Sequence, residues 1–111
     1  MKTVFINGCF DVIHRGHIEL FNYAKSFGDY LVVAIDTDER VKKLKGFFRP
    51  FNNQNDRKFV LEAIRYIDRV YFFNSEEELE ELILNINPEV MVVGSDWKNK
   101  RHSFLLTKFK C

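Results

Sequence analysis

The stretch Asn7-Gly8-Cys9-Phe10-Asp11-Val12-Ile13-His14-Arg15-Gly16-His17 restricts the folds open to this chain more than any other. An apolar run, Thr3-Val4-Phe5-Ile6, enters it, and a helical pattern, Ile18-Glu19-Leu20-Phe21-Asn22-Tyr23-Ala24, leaves it. Strand, glycine turn and helix in that order bring backbone N–H groups and a helix N-terminus to one point, which suits a phosphate. His14 and His17, spaced i, i+3 near the helix start, point to the same side. Two imidazoles there can donate hydrogen bonds to one anionic group.

Strands and helices alternate along the rest of the chain. Residues 2–7 are almost wholly apolar after Lys2, as in a parallel strand buried on both faces. The first helix runs to about Phe27, with Ile13, Leu20, Phe21, Ala24 and Phe27 on one stripe and Gly28 ending it. Tyr30–Ile35 is a second buried strand, which completes a right-handed βαβ unit. Asp36-Thr37-Asp38-Glu39 opens a short helix through Lys43, with Thr37 or Asp36 as its cap. Lys42 to Asn53 is a long basic and aromatic loop, of the kind that often carries function.

Asn55 to Tyr66 reads as a helix with Phe59, Val60, Ala63, Ile64 and Ile67 on its apolar side. Arg69–Phe73 is a third strand. Ser75 and Glu78 form a capping box for a helix whose core stripe is Leu79, Leu82, Ile83 and Ile86. Its glutamates form a solvated face that favours the helix N-terminal half. Asn87-Pro88 stops that helix, and Glu89–Val93 is a fourth strand ending in Gly94-Ser95-Asp96-Trp97. The fold class is therefore α/β, a Rossmann-like doubly wound parallel sheet of four to five strands. The His motif, Asp36-Thr37-Asp38 and Gly94-Ser95-Asp96-Trp97 all fall at strand carboxyl ends, where such sheets bind ligands. Lys98 to Cys111 is basic and irregular, so the fourth strand reads as an edge that the tail or a second subunit would cover.

Composition narrows the function classes. A chain of 111 residues with 46% hydrophobic content and twelve phenylalanines is a single domain, residues 1–111, with a real core. A net charge of +1 gives no reason to expect a nucleic acid partner. No apolar run approaches a membrane span, and the N-terminus has no signal-peptide core, so a cytoplasmic protein is expected. Cys9 and Cys111 are too few for a disulfide framework or a zinc site.

The pattern Gly8-x-Phe10-Asp11-x-x-His14-x-Gly16-His17 resembles the signature of the cytidylyltransferase-like nucleotidyltransferases. The resemblance covers about residues 1–100. It implies transfer of CMP or AMP from CTP or ATP to a phosphorylated polyol or sugar, with release of pyrophosphate. Such chemistry depends on positioning and on positive charge around the phosphates. Mg²⁺ is expected with the nucleoside triphosphate, held mainly by the phosphates because no carboxylate cage is evident. By resemblance, His14 and His17 contact the α- and β-phosphates and stabilise the transition state. Asn7, Gly8, Cys9, Phe10, Asp11 and Gly16 form the nucleotide-binding turn.

Other positions match the family less evenly. Lys43 and Lys45 both stand near a family lysine that binds both phosphates. Lys45 is the better match, because Lys45-Gly46-x-x-Arg49-Pro50 resembles the loop of heptose-phosphate adenylyltransferases. Arg57 matches the family arginine that reaches the triphosphate. Asp36, Asp38, Lys43 and Arg49 are candidates for the acceptor side. Gly94, Asp96 and Trp97 resemble the Gly-x-Asp-Trp segment of glycerol-3-phosphate cytidylyltransferases, which lies beside base and ribose. The two partial resemblances thus favour different substrates, a heptose phosphate with ATP and glycerol 3-phosphate with CTP. The family also implies a homodimer.

One family feature has no match. The Arg-x-x-x-x-Ser-Thr-Thr-type motif that holds the outer phosphates is absent, and Thr107-Lys108 does not replace it. The expectation is a domain shortened or altered after about Lys100. The alternative function is then a catalytically impaired nucleotide-binding or assembly partner of the same fold.

Overall fold

The computed structural model describes residues 1–93. The segment with Gly94, Asp96 and Trp97, and the basic tail after it, lie outside the described residues. The elements are β1 (Thr3–Gly8), α1 (Arg15–Lys25), β2 (Tyr30–Asp36), α2 (Asp38–Lys45), α3 (Gln54–Glu62), β3 (Arg69–Phe73), α4 (Glu76–Ile86) and β4 (Val90–Val93). All strand pairs are parallel, in the order β3-β2-β1-β4. The α/β alternation expected from the sequence is the architecture observed.

This order explains where the helices go. The chain steps from β1 to β2 to β3 in one direction, then returns across the sheet to β4. With right-handed crossovers, the reversal moves the connecting helix to the opposite face. Accordingly, α1 and α3 pack over Val4, Ile6, Leu31, Val33, Ile35 and Val70. On the other face, α4 lays Leu79, Leu82, Ile83 and Ile86 over Phe5, Val32, Ala34 and Phe73. The reversal also makes the carboxyl ends of β1 and β4 the topological switch point, the crevice where open α/β sheets take ligands.

Helix α3 differs from its sequence expectation. It ends at Glu62 and buries Arg57 and Leu61, with Ile64 packed just beyond, whereas Phe59 is 75% and Val60 46% exposed. The physical reason is the phase of Arg57. Turning that guanidinium inward rotates Leu61 into the core and carries the apolar pair 59–60 outward. In α4 the Ser75 hydroxyl accepts from the Glu78 N–H as expected, but the Glu78 carboxylate reaches the N–H of Asn74 and not that of the cap itself.

Gly28 is required by close approach between α1 and β1. A β-carbon there would stand 2.6 Å from the Lys2 carbonyl oxygen and 2.9 Å from a Val4 methyl. Gly28→Ala is expected to lower stability by about 1–3 kcal/mol, the usual range for overpacking. Chemical denaturation measures it, and an unchanged midpoint would contradict the close approach.

Candidate active site

The site begins with a strained turn. Phe10 has φ +48° and is only 6% exposed. A bulky residue takes that backbone only when its surroundings enforce it. Its ring lies edge-on to Phe21 at 5.2 Å and to His17 at 5.6 Å, so the core holds it. Gly8 leaves room for that ring, which would stand 3.0 Å from an added β-carbon.

The two histidines cap α1 reciprocally. His14 is the N-cap, and its Nδ1 accepts from the Gly16 N–H at 3.0 Å. The His14 N–H in turn donates to His17 Nδ1 at 3.2 Å. Their rings lie 4.3 Å apart. Each Nδ1 is thereby an acceptor, which assigns the proton of each neutral imidazole to Nε2. Two Nε2–H donors then stand side by side at the N-terminus of α1, at the carboxyl end of β1. A β-carbon at Gly16 would meet the His14 ring at 2.8 Å and push it from its capping position. Partial burial, and then the neighbouring His14, lower the affinity of His17 for a second proton.

The long loop after α2 is locked onto this turn. The Asp11 carboxylate accepts from the backbone N–H groups of Phe51 and Asn52 at 2.7 and 2.8 Å, and the Asn52 amide returns to the Asp11 carbonyl at 2.6 Å. Arg49 stands 3.6 Å from Asp11 and stacks over Phe51. Asp11 is therefore a structural anchor within the turn. Arg57, 2% exposed, faces inward from α3. It donates through Nη1 to the carbonyls of Cys9 and Asp36, through Nε to that of Asn52, and through Nη2 to the Asp38 carboxylate, at 2.8–3.0 Å. The arginine expected to reach a triphosphate thus joins four segments of the site, with one N–H left over.

Helix geometry separates the two candidate lysines. Val41 is fully buried beneath α2. At about 100° per residue, Lys45 lies about 40° from Val41 and Lys43 about 160° away. The Lys45 charge also acts on both Cys9 and Asp36. Neither lysine has an ion-pair partner among the described residues. Cys9 itself is half-buried, and burial, partly offset by Lys45 and Arg57, pushes its thiol up, away from nucleophilic use.

Asp36 and Asp38 flank Thr37, the N-cap of α2, whose hydroxyl accepts from the Arg40 N–H. Asp38 pairs with Arg57, and Asp36 faces Arg40 at 3.6 Å. The structure therefore brings Asn7, Gly8, Cys9, Phe10, Asp11, His14, Gly16, His17, Asp36, Asp38, Lys45, Arg49 and Arg57 to one end of the sheet. Among the described residues no group of three His, Cys, Asp or Glu side chains could hold a metal. A hollow of about 90 Å³ behind the turn, walled by Phe10, Ile13, Asp56 and Val60, is too small for a nucleotide. The residue that sequence reasoning missed is Asn52, whose pairing with Asp11 spans 41 positions and leaves no local signal.

A cytidylyltransferase-like family model matches residues 5–110. The chain belongs to the cytidylyltransferase-like family. The bifunctional protein HldE of Aliarcobacter butzleri is 46% identical over 99 residues, 89% of this chain and 21% of that protein. HldE of Wolinella succinogenes is likewise 46% identical over the same shares. HldE of Campylobacter jejuni subsp. jejuni is 43% identical, again over 89% of this chain and 21% of its own. The chain thus spans about a fifth of the length of these curated relatives. A crystal structure of the lipopolysaccharide core biosynthesis protein from Thermoplasma volcanium superposes with a TM-score of 0.77 at 26% identity, covering 88% of this chain and 78% of that one. The cytidylyltransferase-like fold places its glycine turn and histidine pair at the switch point described above.

Two outcomes follow from this geometry. Arg57→Met should cost about 3–5 kcal/mol, because it leaves Asp38 and three carbonyls without their donor; unchanged denaturant unfolding would return Arg57 to a ligand-binding role. His17 resists protonation in the fold but not in the unfolded chain, where its value is near 6.5. The unfolded state therefore binds more protons below that pH, and native stability falls as pH drops from 6.5 through the lower folded value. Stability measured from pH 8 to pH 5 should decline more steeply for the native chain than for His17→Asn; parallel curves would contradict the capping role.

Proposed function

We propose that this domain is a nucleotidyltransferase that joins a nucleoside monophosphate to a phosphorylated sugar and releases pyrophosphate. The observation that carries this reading is the pair of pinned imidazoles presenting adjacent Nε2–H donors at a helix N-terminus. A phosphate oxygen of the acceptor attacks the α-phosphorus in line, and negative charge gathers on the α-phosphoryl oxygens and the leaving pyrophosphate. Donors that are already fixed in place stabilise that charge without reorganising. His14 and His17 supply them, and the N-terminus of α1 adds its dipole. Lys45 supplies a mobile cation above Cys9, suited to bridge the two substrates. Arg49, Asp11 and Asn52 set the loop that follows it. Mg²⁺ would arrive with the triphosphate, whose oxygens provide most of its ligands, and would neutralise part of the phosphate charge.

Two observations favour a sugar phosphate with ATP. The loop Lys45-Gly46-x-x-Arg49-Pro50 resembles that of heptose-phosphate adenylyltransferases. The similar crystal structure is that of a lipopolysaccharide core biosynthesis protein, which suits a sugar substrate. A second reading, CTP with glycerol 3-phosphate, rests on Gly94-Ser95-Asp96-Trp97. Assembly as a homodimer and action in the cytoplasm belong to the same proposal.

Pyrophosphate release with ATP or CTP, heptose 1-phosphate or glycerol 3-phosphate, and Mg²⁺ tests it. His17→Ala should reduce kcat by about 10²–10³-fold, the effect of removing one preorganised donor. Lys45→Ala should mainly raise KM. Nucleotide binding without turnover in any pair would favour the impaired binding partner, and normal turnover by His17→Ala would refute the site.

A further inference from the structure

Among the described residues, none donates a hydrogen bond to the Asp36 carboxylate, although the residue is largely buried. Asp36 follows Ile35, which pairs with Gly8, so it stands beside Cys9 at the carboxyl edge of the sheet. The residue is 9% exposed. Arg57 takes its backbone carbonyl, but no described residue donates a hydrogen bond to its carboxylate. Its nearest countercharge, Arg40 Nε, is 3.6 Å away, beyond hydrogen-bond reach, and that Nε is itself buried without an acceptor. Burial outweighs the pull of Arg40, Arg57 and Lys45 and pushes the Asp36 carboxyl up.

Its side chain keeps 12% of its surface open, so a ligand donor can reach it, and burial of the rest favours a direct donor. Here the unmet acceptor lies where ligands enter, and not in the core. The charges around it define the missing donor. Three cations, Arg40, Arg57 and Lys45, act on Asp36, against Glu76 as the largest opposing charge. Such a field repels a ligand ammonium and attracts a ligand phosphate. The donor that fits a carboxylate among cations is a neutral hydroxyl carried by a phosphorylated molecule. Asp38, by contrast, already has a donor, Arg57 Nη2 on its Oδ1 at 2.8 Å.

Resting on the nucleotidyltransferase reading above, we propose that Asp36 is a specificity-determining residue that accepts a hydroxyl of the acceptor's carbon skeleton while the acceptor phosphate lies toward Lys45. The acceptor class is then a hydroxyl-rich sugar or polyol phosphate, and analogues lacking the bound hydroxyl are rejected. Rejection follows because such an analogue leaves the carboxylate desolvated and unpaired.

The test compares the full chain with Asp36→Asn and Asp36→Ala. Pyrophosphate release is measured with glycerol 3-phosphate against propyl phosphate, and with a heptose 1-phosphate against its monodeoxy forms. Calorimetric binding of the same acceptors is measured in parallel. The native chain should prefer one hydroxylated acceptor over its deoxy analogue. Both variants should lose kcat/KM for the hydroxylated acceptor by about 10–100-fold, the range for a hydrogen bond to a charged group, and should lose the preference. The KM for nucleotide and the unfolding midpoint of Asp36→Asn should stay near the native values. Equal losses for hydroxylated and deoxy acceptors, or an unchanged preference, would overturn the assignment and leave Asp36 as the partner of Arg40 only. A native chain that binds acceptors without turnover would sink the enzymatic reading alone, and the binding preference would still decide Asp36. Binding of neither acceptor would overturn both.

Discussion

The arrangement of this site depends on one buried guanidinium. Arg57 holds the Cys9 carbonyl of the nucleotide turn, the Asp36 carbonyl that ends β2, the Asn52 carbonyl of the long loop and the Asp38 carboxylate that opens α2. Cys9, the Asp36–Asp38 junction and Asn52 are well separated in the chain and have no regular secondary structure in common. An α/β sheet aligns the ends of its strands but does not fix the loops beyond them. A planar group with five donors in a rigid fork can do so, and a lysine could satisfy only part of that set. Asp11 complements it from the opposite side, with its carboxylate receiving two successive backbone N–H groups of the loop.

With the loops fixed, the histidines acquire their chemistry from backbone geometry. Each Nδ1 is occupied by a backbone N–H, so the exchange of caps that starts α1 also decides which nitrogen carries the proton. Under the proposed function, helix capping and transition-state stabilisation are one structural device. Neutral imidazoles stay adjacent without repulsion, whereas two imidazolium rings 4.3 Å apart would repel each other. In the proposed reaction, positive charge comes instead from Lys45, from the end of α1 and from any cation that the triphosphate brings.

Much of this was legible from local pattern. The buried strands, the stripe Ile13, Leu20, Phe21, Ala24 and Phe27, and the stripe Leu79, Leu82, Ile83 and Ile86 all follow from periodicity and pack as expected. The nucleotide turn was legible because its residues are contiguous. What could not be read were pairings without a period. The inward turn of Arg57 put Phe59 and Val60 outside the expected core face while Ile64 and Ile67 kept to it, because an arginine at a core position looks polar to any periodic rule. The Asp11–Asn52 lock spans 41 residues, and the positive φ of Phe10 sits on a residue type that carries no signal for it. Gly94, Asp96 and Trp97 lie outside the described residues.

The central claim is that both histidines present Nε2–H to a phosphate. Nitrogen-15 NMR of the imidazoles tests it most directly, because Nδ1 and Nε2 report their protonation separately. At neutral pH both rings should be Nε2–H tautomers with acceptor-type Nδ1 signals, and pyrophosphate or a non-hydrolysable triphosphate should shift Nε2 in both. A ring protonated at Nδ1, or Nε2 signals that ignore the added phosphate, would contradict the account.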